Sequence, residues 1–361
     1  MHTNNFYVDD QYGDYEEQFY SREERRAQRY YKPKERKKSN RDIMAELTDA
    51  TELQEEFKPS YQPSRYEREW LLSSLRPFYE EGLITDVLAV VKGGKEASVY
   101  RCEAHPATGE RFLAAKVYRP RKFRHLRNDR MYREGRQTLS ARGKAVKKSD
   151  HRTMRALGKK TGFGAELSHT SWLMYEYTTM GRLHEAGAIV PKPFSSADNA
   201  ILMSYHGDQR RGAPTLNQVK LSRQEARLLF NNLLHNIKLM LQNDVIHGDL
   251  SAYNILYWQG EITIIDFPQV TNLHQNTKAR FILQRDIKRV CEYFVQQGVS
   301  CNPRRITEDL WRVFGSESER ILKEALLGES SRLEEESIRK SVEEEVEEEE
   351  EAPNFFKKEK N

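Results

Sequence analysis

Three polar residues near the middle of the chain have the types and the spacing of a phosphoryl-transfer site. Asp249 and Asn254 lie in the stretch VIHGDLSAYNIL, and Asp266 follows in the stretch IIDF. Leucine or β-branched residues flank each of them, which predicts that a loop and two short strands bring their side chains to one edge. Asp249 would then orient and deprotonate a hydroxyl group, while Asn254 and Asp266 would bind a magnesium ion that bridges nucleotide phosphates. Each residue taken singly could equally cap a turn or end a strand, so the prediction depends on the joint spacing.

A lysine upstream supplies the positive charge that such a site needs. Lys116 lies in the apolar stretch LAAKVY, where its ammonium group must find an anionic partner or face solvent. In a kinase that partner is the pair of α- and β-phosphates, and a helix glutamate holds the ammonium group in place. Before it, Gly93, Gly94 and Lys95 form a glycine turn whose N–H groups could approach phosphate oxygens. A plain hairpin explains the same pair of glycines.

Regular elements before and after these residues would position them. A helix over residues 63–82 is predicted by the capping box from Ser64 to Glu67 and by apolar residues at helical spacing. Alternating apolar residues then predict three antiparallel strands between residues 84 and 119. Further along, the pattern predicts a helix over 224–243, strands over 254–258 and 261–265, and two helices over about 277–297 and 305–327.

Five short stretches, GKEASVY, AAKVY, ILMSY, HGDLSAYNIL and IIDFPQ, together resemble the RIO family of atypical protein kinases over about residues 84–300. The resemblance implies an α+β, two-lobed protein-kinase-like fold with a small antiparallel β-sheet in the N-lobe, a mainly helical C-lobe and no activation loop. It also implies that ATP and Mg²⁺ are the cofactors. The implied activity is that of a serine/threonine protein kinase that phosphorylates itself or a protein substrate, or of an ATPase, acting in ribosome biogenesis.

The resemblance also implies roles for individual residues. Lys116, Asp249 and Asp266 would be catalytic, and Asn254 and Asp266 would hold the metal ion. The backbone of Met203 and Tyr205 would donate and accept hydrogen bonds to adenine. The nucleotide-binding residues implied in this way are Gly93, Gly94, Lys95, Lys116, Glu176, Met203 and Tyr205.

The glutamate partner of Lys116 has two candidates. Spacing alone favours Glu134, but the landmarks of the family's long insert favour Glu176 in the stretch WLMYE. The chain also departs from related patterns at three positions. Lys92 stands where the family usually has Ser or Thr, whereas Gly248 and Pro268 stand where ordinary protein kinases have Arg and Gly.

Composition and the family resemblance together divide the chain into five parts. They are a disordered basic and Tyr-rich arm (1–60), a leading helix (61–83), an N-lobe (84–202) with a basic flexible insert (119–170), a C-lobe (203–328) and an acidic disordered tail (329–361). The net charge of the whole chain is only +4, which conceals the uneven distribution of basic and acidic residues among these parts. Residues 119–160 alone contain sixteen Lys and Arg against three acidic residues. This imbalance favours contact with RNA phosphates, although a merely solvated insert is the alternative interpretation. The family resemblance implies ribosomal RNA or the small ribosomal subunit as that partner.

Other features restrict the possible classes of protein. The three cysteines have no CxxC spacing, which argues against a disulfide framework or a zinc site. No stretch approaches 18 apolar residues, so we expect no membrane span and a cytoplasmic location. Two alternative functions stay open: a small-molecule phosphotransferase of the aminoglycoside or choline kinase type, which shares the HGD-x4-N pattern, and an inactive RNA-binding scaffold.

Overall fold

The computed structural model describes residues 57–94, 96–119, 132, 134, 136–147, 149–159 and 161–315. All of them belong to the unit formed by residues 54–361. Most of the predicted N-terminal arm, the acidic tail and the nucleotide-binding residue Lys95 lie outside the described residues. Phe57 belonged to the predicted arm, but it is buried and its ring lies 4.7 Å from that of Tyr79. The packed part of the chain thus includes residues 57–60, because an aromatic side chain there finds apolar partners.

The N-lobe is a five-stranded antiparallel sheet with one helix packed against it. Helix α1 (Arg65–Glu80) begins with the predicted capping box of Ser64 and Glu67. The strands are β1 (Ile84–Gly93), β2 (Ala97–Ala104), β3 (Phe112–Tyr118), β4 (Pro193–Ser196) and β5 (Ala200–Ser204). Their order in the sheet is β1-β2-β3-β5-β4. The central position of β3 gives Lys116 neighbours on both sides, Val99 on β2 and Ile201 on β5.

The side chains of β3 alternate between two hydrophobic cores. Leu113, Ala115 and Val117 pack with α1 in the N-lobe core. Tyr118 packs in the second core, which continues through the C-lobe. Because successive side chains of a strand point to opposite faces, Lys116 shares the face of Tyr118 and is directed towards the cleft between the lobes. Each large side chain buried in these cores contributes roughly 1.5–3 kcal/mol.

Two helices separate β3 from β4, and the longer one carries Glu176. Helix α2 (His151–Gly158) begins at Asp150, and helix α3 (Gly162–Glu185) begins at Thr161. The Thr161 side chain accepts a hydrogen bond from the Gly164 N–H group at 3.2 Å. The insert predicted to reach residue 170 therefore includes the first turns of α3. The glycines of the stretch GFGAE are typical of a loop, but the N-cap hydrogen bond of Thr161 stabilises the start of the helix there.

The C-lobe is mainly helical, and two short strand pairs lie around the predicted catalytic loop in the described residues. The strand pairs are β6 with β9 and β7 with β8, both antiparallel. The elements are α4 (Arg223–Gln242), β6 (Val245–Ile246), β7 (Ile255–Trp258), β8 (Glu261–Ile264), β9 (Thr271–Asn272), α5 (Ala279–Gln296) and α6 (Pro303–Phe314). The predicted two-lobed fold is confirmed. Residues 268–278 are all described and lead directly through β9 to α5, so no activation loop lies between Phe267 and α5.

Candidate active site

Lys116 forms the centre of a charged cluster between the two lobes. Its Nζ lies 2.6 Å from Oε1 of Glu176 on α3 and 2.5 Å from Oδ1 of Asp266. Tyr118 completes this cluster, because its hydroxyl group donates to the other oxygen of Glu176. We call these four residues the ammonium cluster. It joins β3, α3 and the end of β8, so that both lobes contribute to it.

The charges of the ammonium cluster stabilise one another. Burial favours the neutral amine, but the carboxylates of Asp266 and Glu176 outweigh it and hold the pKa of Lys116 well above its ordinary value. Burial likewise favours neutral Asp266, but the Lys116 ammonium group outweighs it and lowers the pKa of that carboxyl group. Lysine and aspartate are therefore both charged at neutral pH.

Asp266 has an unusual backbone conformation. Its φ is +73°, in the left-handed region that non-glycine residues rarely adopt. Two bonds fix the chain around it: the Ile265 N–H group donates to the Asn254 carbonyl at 3.0 Å, and the Phe267 N–H group donates to Glu176 at 3.4 Å. Such conformations persist only where the surroundings hold them, and they concentrate at functional sites. With 40% of its side chain exposed, Asp266 is accessible from the cleft.

Asp249 is held from two sides. The Asn254 amide nitrogen donates to Oδ2 of Asp249 at 3.0 Å and to its carbonyl oxygen at 2.8 Å. On the other side, Arg289 of α5 lies 2.7 Å from Oδ1. Burial raises the pKa of Asp249, and Arg289 opposes this shift without cancelling it. Because 39% of the side chain is exposed, an acceptor hydroxyl group could reach the carboxylate.

His247 supports the backbone that leads into Asp249. Its Nε2 lies 3.1 Å from the Ile265 carbonyl, and its Nδ1 accepts from the Asp249 N–H group at 3.2 Å. This pattern requires a neutral ring with the proton on Nε2. Burial lowers the pKa of His247, which keeps the ring neutral. His247 thus ties the Asp249 backbone to the end of β8, next to Asp266.

The structure explains why glycine precedes Asp249. Gly248 has a φ of +84°, and a Cβ atom there would collide with the carbonyl oxygen of Gln269. Its N–H group donates to Asp286 of α5 at 2.8 Å, and its carbonyl oxygen accepts from Arg285. The arginine of ordinary protein kinases would not fit this position. Side chains of α5 hold the loop instead.

Four further predicted nucleotide-binding residues that the structure describes, Gly93, Gly94, Met203 and Tyr205, lie along the N-lobe side of the cleft. Gly93 ends β1, and Gly94 follows in a turn where a Cβ atom would lie 2.9 Å from the Ala97 carbonyl oxygen. Met203 pairs with Ala114 of β3 near the end of β5, and Tyr205 follows the strand directly. The contacts of these residues with a nucleotide stay a prediction.

Glu134 does not lie against Lys116. Its carboxylate accepts from the Thr277 hydroxyl group at 2.6 Å, in the segment before α5. The length of the insert explains why sequence spacing alone is misleading here. The residues between β3 and α3 include a long insert, so a glutamate close in sequence is not the one that α3 brings to Lys116.

Sequence analysis missed several residues that hold the site. Arg285, Asp286 and Arg289 lie within one turn of α5, and the first two are buried. Tyr118 and Tyr132 are also buried and contribute hydroxyl groups. A signal was available in α5, because charged residues there interrupt the apolar face that packs in the C-lobe core.

The side chains present fit a nucleotide bound with a magnesium ion. Among the described residues no group of three or more His, Cys, Asp and Glu could hold a metal ion alone. Mg²⁺ usually takes one or two carboxylates and completes its shell with water and phosphate oxygens. Asp266 supplies an accessible carboxylate, and Asn254 uses its amide nitrogen on Asp249, which leaves its amide oxygen as a ligand. A phosphate group would complete such a site.

The chain matches the model of one protein family and is similar to several known proteins of that family. The RIO domain model matches residues 116–306, slightly more than half of the chain. Serine/threonine-protein kinase RIO1 of Chaetomium thermophilum is 30% identical over 235 residues, which cover 60% of this chain and 41% of that protein. RIO-type kinase Rio1 of Thermoplasma acidophilum is 31% identical over 137 residues, covering 38% of this chain and 70% of that protein.

Two further comparisons concern a human protein and a solved structure. Human serine/threonine-protein kinase RIO1 is 27% identical over 226 residues, covering 61% of this chain and 35% of that protein. The crystal structure of a Rio2 kinase complex with ADP, Mg²⁺ and phosphoaspartate from Chaetomium thermophilum superposes with a TM-score of 0.47 at 18% identity. It covers 84% of this chain and 85% of that one. The chain thus spans well under half the length of the two RIO1 relatives from Chaetomium and human.

Proposed function

Because the chain belongs to the RIO family, we propose that it is an ATP- and Mg²⁺-dependent phosphotransferase of the serine/threonine-protein-kinase type. The observation that carries the proposal is that carboxylate oxygens of Glu176 and Asp266 lie within 2.6 Å of the Lys116 nitrogen. Asp249 and Asn254 lie in the same cleft. The relatives are named serine/threonine-protein kinases, which supports this class of reaction.

The ammonium cluster would bind and orient the nucleotide. Lys116 would pair with the α- and β-phosphates while Glu176, fixed by Tyr118, keeps the ammonium group in place. Asp266 and the amide oxygen of Asn254 would hold Mg²⁺, which supplies charge neutralisation on the phosphates. The turn at Gly93 and Gly94 would offer backbone N–H groups, and Met203 and Tyr205 would meet the adenine ring.

Asp249 would act on the acceptor. Its carboxylate would orient the acceptor hydroxyl group and take its proton as the oxygen–phosphorus bond forms. Asn254 and Arg289 each bind one of its two oxygens, so its direction is fixed before the acceptor arrives. Preorganised positioning of this kind contributes much of the rate acceleration in phosphoryl transfer.

A protein or ribonucleoprotein acceptor is favoured over a small molecule. Among the described residues of the insert, the exposed basic side chains that a polyanion could contact include Arg142, Lys144, Lys147, Arg152, Arg155 and Lys159. Such a surface suits RNA phosphates, including ribosomal RNA. A small-molecule phosphotransferase would have no need of it. Phosphorylation of the chain itself or of a protein on the same assembly is the form of the reaction that we propose, with ATP hydrolysis as its variant.

The proposal places the activity in the cytoplasm. The structure describes all three cysteines, and all are free thiols, which suits a reducing compartment. In the described part of the chain, no helix has the length and apolar character needed to cross a membrane.

The test is an assay with ATP labelled on the γ-phosphate, in the presence of Mg²⁺, with and without ribosomal RNA. Acid-stable label on the protein would support a kinase, and acid-labile label with phosphate release would support an ATPase that passes through an aspartyl phosphate. If the protein carries no label and releases no phosphate but binds RNA tightly, the proposal is overturned in favour of an inactive scaffold.

A further inference from the structure

Tyr132, in the insert, reaches the loop that carries Asp249. The side chain is buried, with 3% of the residue exposed. Its hydroxyl oxygen accepts a hydrogen bond from Nη1 of Arg285 at 2.7 Å, and Nη2 of the same guanidinium group donates to the Gly248 carbonyl. The Tyr132 ring also lies beside Gly248, 3.3 Å from the place of a Cβ atom. One tyrosine therefore supports the residue before Asp249 through its ring and through Arg285.

Two neighbouring residues fasten the same part of the insert. Arg136 donates to the Pro268 carbonyl at 3.0 Å and also to the Val270 carbonyl. Its guanidinium group lies 5.1 Å from the ring centre of Tyr175 on α3. Glu134 accepts from Thr277. We call Tyr132, Glu134 and Arg136 the insert anchor. It connects the catalytic loop, the segment after Asp266 and the helix that carries Glu176.

We infer that Tyr132 is a positioning residue for phosphoryl transfer, acting through Arg285 on the Gly248 carbonyl and so on Asp249. The insert anchor lies beside the catalytic loop together with the segment 268–278, whose strand β9 pairs with β6. Tyr132 and Arg136 thus add contacts from the insert to a loop that has no activation loop beside it. The inference rests on the proposed function, because it concerns the base of that same reaction.

The geometry explains why the hydroxyl group matters more than the ring alone. Arg285 is buried, with 8% of the residue exposed, so its orientation depends on the groups that accept its hydrogens. Tyr132 accepts from one terminal nitrogen, and the Gly248 carbonyl accepts from the other. Loss of the tyrosine oxygen removes the acceptor of Nη1. Because Asp286 lies 3.6 Å from Nη2, the guanidinium group can then turn towards that carboxylate, and the Gly248 carbonyl loses a fixed donor. Displacements well below 1 Å at a catalytic base reduce turnover.

The test compares Tyr132→Phe with wild type and with the matched control Tyr79→Phe on α1, whose ring packs against Phe57. The steady-state kcat and the KM for ATP are measured for each, with melting temperature as a check on folding. We expect kcat of Tyr132→Phe to fall roughly ten- to hundredfold, the effect of one hydrogen bond to a charged group. The KM for ATP should stay within about twofold, because the ammonium cluster is untouched.

A double-mutant cycle separates positioning from general destabilisation. If Tyr132 acts through Arg285, Arg285→Gln and Tyr132→Phe together should lower kcat no further than Arg285→Gln alone. Additive losses in the double variant, or a Tyr132→Phe variant with the kcat of wild type, would overturn the inference while the proposed function stands. A wild-type chain that neither transfers nor releases phosphate would overturn the proposed function, and the inference with it.

Discussion

The two sides of the cleft are constructed differently. The ammonium cluster lies on regular elements, since Lys116 is in the centre of a five-stranded sheet and Glu176 is in the middle of a 24-residue helix. Asp249 lies in a loop whose backbone is held by side chains from α5 and from the insert. The first side depends on secondary structure, whereas the second depends on arginines and a tyrosine brought from distant parts of the chain.

This difference indicates that nucleotide binding and turnover depend on different structural elements. Changes on the ammonium cluster should alter ATP affinity and fold stability, because they leave charges unpaired in a buried place. Changes around Asp249 should alter turnover with little effect on affinity. The predictions below test that separation, from the largest expected effect to the smallest.

Replacement of Asp249 should produce the largest loss. Asp249→Asn keeps the shape of the side chain but replaces one carboxylate oxygen with an NH₂ group. It therefore removes the proton acceptor and one of the two hydrogen bonds that the Asp249 carboxylate accepts, so turnover should fall about a thousandfold or more. The rate of phosphate transfer or release measures this. Asp309→Asn, at an exposed position of α6, is the matched control and should keep the wild-type rate. Retained turnover in Asp249→Asn would remove the base from the mechanism.

Lys116→Met should reduce both affinity and stability. The variant leaves the carboxylates of Glu176 and Asp266 facing each other without the ammonium group, and breaking a buried pair costs about 3–5 kcal/mol. ATP titration should show weakened binding, and thermal unfolding should show a lower melting temperature. If ATP affinity is unchanged, the lysine does not contact phosphates.

Glu176→Gln and Glu134→Gln form a matched pair. Glu176 binds Lys116 and Tyr118, so its replacement should lower kcat/KM for ATP roughly a hundredfold, about 3 kcal/mol. Glu134, in the insert anchor, accepts a hydrogen bond from the Thr277 hydroxyl group and does not contact Lys116, so its replacement should lower kcat/KM less, by under about tenfold, the effect of one neutral hydrogen bond. The reverse order of effects would mean that Glu134 is the functional partner of the lysine.

A glycine pair tests the packing of the catalytic loop. Gly248→Ala adds a Cβ atom against the Gln269 carbonyl, which we expect to destabilise the fold by about 2–4 kcal/mol and to lower turnover. Gly260→Ala has a similar φ of +86° but nothing within 4 Å, so only the backbone strain of about 1 kcal/mol remains. Equal losses of melting temperature in the two variants would refute the collision.

Local sequence pattern predicted the elements that carry the candidate site residues much better than the contacts that hold those residues. Alternation along β3 places Lys116 on the face opposite Ala115 and Val117, and the helix periodicity predicted α4 and α5 closely. The pairing with Glu176 required the family resemblance, because the long insert hides the start of α3. Arg289 and Tyr132 escaped prediction because their partners are 40 and 153 residues away, and local pattern carries no signal for such contacts.

The most direct test of the separation between binding and turnover is an ATP titration in the presence of Mg²⁺ on two variants side by side, Asp249→Asn and Lys116→Met. We predict that Asp249→Asn binds ATP with an affinity within about twofold of wild type, although its turnover is lost, and that Lys116→Met binds at least tenfold more weakly. Equal weakening of ATP binding in both variants would contradict the account.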